Sequence, residues 1–211
     1  MSTLKATNLS HASAASPNIA LDSAGKVTFG GAVAGAGMDL ITPTSVAGTG
    51  VTVSGGAVSF SASSTVSVNG CFTATYANYV VQFFGLCSNA STNLSVRLRV
   101  AGTDNTAANY DYQYLDVSST TVSGGRDVGA SSWSALGAVD TTNGLFTVTF
   151  ANPFAAAQSV ATSYGGAPVS NAYWRSAFSR HTSSTSFDGF SFFPGGGTLT
   201  GTLRVYGLRN S

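Results

Sequence analysis

Arg97 and Arg99 in LSVRLRV, and Tyr110, Tyr112 and Tyr114 in NYDYQYLDV, recur at every second position, the spacing that lines up side chains on one face of a β-strand. Two guanidiniums on one face make a docking point for an acidic glycan or a neighbouring subunit, because each presents a planar fork of donors. Unanswered, they repel. Asp111, Asp116 and the tyrosine rings are the partners within reach of the sequence, in one chain or across a subunit contact, and a merely solvated or paired face is the competing reading. The tyrosines read either as an aromatic platform for sugar rings or as core and subunit packing. Trp133, in GASSWSALG, sits among small loop-like residues and is the aromatic best placed by its context to bind a ligand.

Other chemistries find little to work with. The only histidines, His11 and His181, are far apart and lack a carboxylate at helical spacing, so no zinc motif is expected. His181 in SRHTSS reads as a solvated loop residue or a hydrogen bonder at a subunit contact, and no GxSxG supplies a nucleophile for it. Glutamate is absent, so a glycosidase pair would have to come from Asp104, Asp111, Asp116, Asp127, Asp140 and Asp188. Asp104 and Asp140 sit in turn-like GTDNT and DTTNG, and Asp104 with Asn105 lacks the dense oxygen spacing of a calcium loop. Lys26 follows Gly25 without the upstream glycine of a phosphate loop. The chain is therefore read as a non-enzyme with no cofactor and no metal. Cys71 and Cys87 read as small buried residues on neighbouring strands, with a disulfide as the alternative.

The elements that must position these residues are strands. Charged residues make up 8% of the 211, against about 25% in an ordinary soluble domain, and Ser, Thr, Asn and Gly take the polar positions. The residues that favour surface helices are scarce, which points to an all-β chain. A net charge of +1 and seven scattered arginines exclude the basic stripe that nucleic acid requires. No apolar run approaches the roughly 20 residues of a membrane helix. MSTLKATNLSHASAASP lacks the apolar centre of a signal peptide, which places synthesis and folding in a cytoplasm.

Two regions are expected. Residues 1–58 are low in complexity and carry one aromatic, Phe29; NIALDSAGKVTF reads as a hairpin closed near Gly25, GVTVSGGAVSFS as a second about Gly55 and Gly56. Such a segment has no core of its own and suggests an oligomerisation or anchor piece, with disorder as the alternative. Residues 59–211 hold about eight strand candidates separated by polar turns, the pattern of an antiparallel, jelly-roll-like β-sandwich, with one short helical turn near FTATYANY. LSVRLRV alternates and predicts one wet face; YVVQFFGLC is apolar on both faces and predicts burial between sheets or at a subunit contact.

MSTLKATNLSHASAASPNIALDSAGKVTF resembles the opening of tail-fibre and related virion structural proteins of tailed bacteriophages, notably those of marine and freshwater bacteria. CFTATYANYVVQFFGLCSNASTNLSVRLRVAGTDNTAANYDYQYL and the closing GTLRVYGLRNS are similar to a distal β-sandwich of such proteins. The resemblance implies a homotrimer in the virion, its N-terminal segment docked to other virion proteins and its sandwich turned outward, as in a short tail fibre contacting a host surface glycan. A capsid decoration or cement protein with no receptor role is the alternative, because the chain lacks the long repetitive shaft of many fibres.

Overall fold

The computed structural model describes residues 8–9, 19–21, 23, 27–29, 37–90, 92–168 and 173–209 of the chain. It divides into two compact units, Met1–Gly37 and Met38–Asn210. Among the described residues there is no helix, including at the FTATYANY turn, where the Tyr79 hydroxyl instead ties down the loop through the Thr73 amide (2.7 Å) and carbonyl (2.9 Å).

The first unit holds β1 (Asn8–Leu9), β2 (Ile19–Leu21) and β3 (Val27–Phe29), antiparallel in that order. The NIALDSAGKVTF hairpin is β2 against β3, with Ile19 opposite Phe29 and Leu21 opposite Val27. A third strand, β1, pairs Leu9 with Ile19 and gives the hairpin a neighbour that its flanking sequence did not reveal. The closing role expected of Gly25, and His11, lie outside the described residues.

The second unit begins with β4 (Met38–Ile41), β5 (Ser45–Ala47), β6 (Val51–Ser54), β7 (Ala57–Ser63) and β8 (Val66–Asn69). It continues with β9 (Asn78–Cys87), β10 (Thr92–Val100), β11 (Thr103–Asp104), β12 (Tyr110–Ser118), β13 (Thr121–Ala130) and β14 (Trp133–Val139). The last five strands are β15 (Gly144–Ala151), β16 (Ser159–Ala167), β17 (Tyr173–His181), β18 (Gly189–Pro194) and β19 (Leu199–Leu208). The strands β4 to β6 precede the boundary expected at 58/59, yet they pair within this unit: β4 with β19, β5 with β8, β6 with β7. The β6–β7 hairpin closes as its sequence dictates, Ser54 opposite Ala57, with Gly55 at φ 54° and Gly56 at φ 79°, values costly for a side chain with a Cβ.

Two antiparallel sheets pack as a sandwich. The large sheet runs β13-β12-β17-β16-β15-β9-β19-β7-β6, with β4 on the free half of β19; the small one runs β11-β10-β18-β8-β5, with β14 alongside β10. Alternate residues of each face inward and bury Tyr79, Val81 and Phe83 of β9 and Phe146, Val148 and Phe150 of β15 against Leu94, Val96 and Leu98 of β10 and Phe190 and Phe192 of β18. Rings mesh across the gap: Phe83 meets Phe192 edge-on at 5.8 Å, and Phe150 stacks on Phe190 at 5.6 Å. Each such buried ring contributes about 1.5–3 kcal/mol through removal of its surface from water. Cys71 and Cys87 are both buried and both free, and burial pushes the Cys71 thiol far up from its ordinary pKa.

Candidate functional site

The residues singled out by sequence are consumed in holding the sandwich together. Strand β10 pairs with β18 so that Ser95, Arg97 and Arg99 share the small sheet's outer face, as the alternation requires, but that face is not wet. Arg99 is buried: its Nε donates to Asn69 Oδ1 (2.8 Å), and its Nη1 to Ser191 Oγ (2.7 Å), Ser67 Oγ (3.1 Å) and Asp104. Its Nη2 donates to the Gly102 carbonyl. Arg97 lies over the Phe193 ring at 4.6 Å and donates to the Ser131 carbonyl. The acid that answers the pair is Asp104, not Asp111 or Asp116, because β11 folds back on β10 and brings it opposite Arg99.

The three tyrosines do share a face of β12, and it is the inner one. Tyr110 has no exposed surface; its hydroxyl donates to the Asn105 carbonyl (2.8 Å) and accepts from the Leu98 amide (3.0 Å), and burial raises its pKa. Tyr112 and Tyr114 are half-buried, so no sugar platform forms from the three. Trp133 opens β14 rather than a loop and is wholly buried, edge-on to Tyr110 at 5.4 Å, with Nε1 donating to the Arg180 carbonyl. His181 likewise ends β17 instead of lying in solvent: it is buried edge-on to Tyr110 and Phe187, its Nε2 has no partner, and desolvation lowers its pKa.

A buried cluster that the sequence did not signal joins the two sheets. Arg175 of β17 forks onto Asp116 of β12 (2.6 and 2.8 Å) and reaches across to Asn93 Oδ1 of β10 (2.8 Å) and the Gly137 carbonyl of β14 (3.2 Å). The Tyr114 ring lies under the guanidinium at 4.3 Å, and the Tyr173 hydroxyl accepts from it at 2.6 Å. Burial works to raise the Asp116 pKa, but the Arg175 and Tyr173 bonds outweigh it and the carboxylate titrates below its ordinary range. Every donor of this guanidinium is directed at the protein, which makes it a bolt between layers rather than a ligand site.

What remains open is the outer face of the large sheet. Register carries one row of residues straight across six strands: Val122, Val117, Trp174, Gly166, Leu145 and Phe84. Among them Val122 is 66% exposed, Leu145 58%, Phe84 50% and Trp174 45%. The row is about 24 Å long at the usual strand spacing and contains no charge. Thus YVVQFFGLC, expected to be covered on both faces, presents its Phe84 side to solvent in a single chain, while Tyr79, Val81 and Phe83 face the core. Two rows further along the strands lies a chemically different sequence of neighbours, Arg126, Gln113, Phe178 and Thr162, with hollows on either side of it. Among the described residues no group of three or more His, Cys, Asp or Glu is placed to hold a metal. Comparison with family models, curated proteins and solved structures finds no match in any of the three.

Proposed function

We propose that the chain is a non-enzymatic structural component of a tailed-phage virion, a short tail fibre whose sandwich assembles with its copies and turns toward the host surface. The observation that supports assembly is the uncharged row Val122–Val117–Trp174–Gly166–Leu145–Phe84, because exposed apolar residues in contiguous patches mark protein contacts. The trimeric state and the virion setting come from the resemblance of the N-terminal stretch and of the CFTATYANY to NYDYQYL stretch to tail-fibre proteins.

Light scattering after gel filtration tests the assembly: the full chain is expected to run as a trimer, and the Trp174→Ser, Leu145→Ser double variant as a folded monomer. A full chain that is monomeric at all concentrations overturns this reading. A decoration protein would use the same row against the particle wall, and antibody labelling of purified virions separates the two by position, at the tail or over the capsid.

A further inference from the structure

The second row on the same face has the composition of a ligand site. Cross-strand pairing sets Arg126 of β13 beside Gln113 of β12, Gln113 beside Phe178 of β17, and Phe178 beside Thr162 of β16. Guanidinium, amide, phenyl ring and hydroxyl therefore follow one another at strand spacing, about 14 Å from end to end. A hollow of about 470 Å³ lies on one flank, floored by Ser176 and Ala177, and another of about 190 Å³ on the other; Arg126, Gln113 and Phe178 line both. Opposite Tyr114, β13 carries Gly125, where a Cβ would meet the inward-facing Tyr114 ring at less than 3 Å, so the glycine lets β13 lie close on β12 and keeps Arg126 beside Gln113.

The charges along this row favour a single anionic group. Arg126 makes no hydrogen bond or ion pair among the described residues, in contrast to Arg97, Arg99, Arg175 and Arg180. Asp111, which lines the smaller hollow with Arg126, is held by Arg180 at 2.6 Å and by the Gly129 amide at 3.0 Å, so it does not neutralise Arg126 by contact. Phe178, 51% exposed, offers an apolar ring at the middle of the row, and uncharged Gln113, Thr162 and Ser176 surround it. A ligand that suits this sequence has one carboxylate or sulfate, an apolar ring face and several hydroxyls within about two rings' length. Polyphosphates and nucleic acid strands would call for more than one unpaired cation.

We infer that the Arg126–Gln113–Phe178–Thr162 row binds an acidic saccharide, with the Arg126 fork on its carboxylate, the Phe178 ring against a sugar face, and Gln113, Thr162 and Ser176 on its hydroxyls. The inference stands apart from assembly, since it concerns a different row and is tested on the monomeric Trp174→Ser, Leu145→Ser variant as well as the full chain.

The probes are a galacturonate–galactose disaccharide, the neutral galactose disaccharide and inorganic sulfate, followed by amide chemical shifts and calorimetry. Saturable shifts centred on Gln113, Arg126 and Phe178 are expected with the galacturonate–galactose disaccharide. Arg126→Gln is expected to weaken that binding at least about tenfold, Arg126→Lys to recover part of it, and Phe178→Ala to weaken it by a similar factor. Both side chains are exposed, so each variant should keep the wild-type melting temperature. The assignment is overturned if the galacturonate–galactose disaccharide gives no saturable shifts, if Arg126→Gln binds it as well as wild type, or if the neutral sugar or sulfate alone binds equally well.

Discussion

The two outer faces of the sandwich invert the usual expectation. The small sheet's outer face carries Ser67, Ser191, Arg97, Arg99 and Asp104, yet these polar groups shield one another, and Ser191 and Arg99 are buried. The large sheet's outer face carries Phe84, Leu115, Leu145, Tyr164, Trp174 and Phe178, all about half exposed. Polar groups can leave water when each finds a partner, and here the arginines find Asp104, serines of the next two strands and backbone carbonyls. Apolar groups stay in water only when nothing in the chain can cover them, so the second face asks for something outside it.

The contrast is broken most severely by removing a buried charge partner. Arg175→Ala leaves Asp116 buried without its fork and is expected to cost about 3–5 kcal/mol, lowering the melting temperature by roughly 6–20 °C. The paired change Arg175→Met, Asp116→Leu should lose less than the single one, which thermal unfolding of both variants will show. Arg99→Ala opens the small sheet's outer face, leaves Asp104, Ser67 and Ser191 short of a donor, and should cost about 1–3 kcal/mol by urea unfolding.

Acid is expected to act through His181. Its pKa is lowered in the folded state, so below the ordinary value of about 6.5 the unfolded chain takes up a proton that the native chain refuses. Stability is then full above that pH and falls as pH drops through it toward the folded-state value. Urea midpoints measured across this window should decline for wild type and stay flat for His181→Phe. The carboxylates whose pKa values are lowered by partners, Asp39, Asp111 and Asp116, titrate below their ordinary value of about 3.8 and leave the upper end of this window clear. Smallest of all, Trp174→Ser and Phe84→Ser on the large sheet's open face should change the stability of the monomer by less than about 0.5 kcal/mol while abolishing self-association.

Trp133 and β13 show why parts of the molecule were hard to read. GASSWSALG looks like a loop because its neighbours are small, but Ala135, Leu136 and Val139 with Trp133 line the core, and small residues are what let β14 sit against the large sheet. TVSGGRDVGA has no apolar alternation to mark it as a strand, yet its backbone pairs along the whole of β12, which supplies the order that its side chains lack. Arg126, the unpaired cation of the proposed saccharide row, stood in that stretch. The only sign of it in the sequence was a charge following two glycines on a run with no apolar face to bury.

Local physics by itself decided the class of structure. Period-two alternation, β-branched and aromatic runs and the scarcity of helix-favouring residues made the chain all-β; Gly55 and Gly56 closed β6 on β7; Ile19, Leu21, Val27 and Phe29 registered β2 on β3. Alternation also settled which residues share a face, as it did for Tyr110, Tyr112 and Tyr114. It could not settle which face is covered, because that depends on strands distant in the chain: β10 is roofed and paired through β18, some ninety residues on, and β12 meets β17, some sixty residues on. Only those long-range pairings turned Tyr110 and Trp133 into core with Tyr112 and Tyr114 packed against it, joined Arg175 to Asp116, and left Phe84, Trp174 and Phe178 facing water.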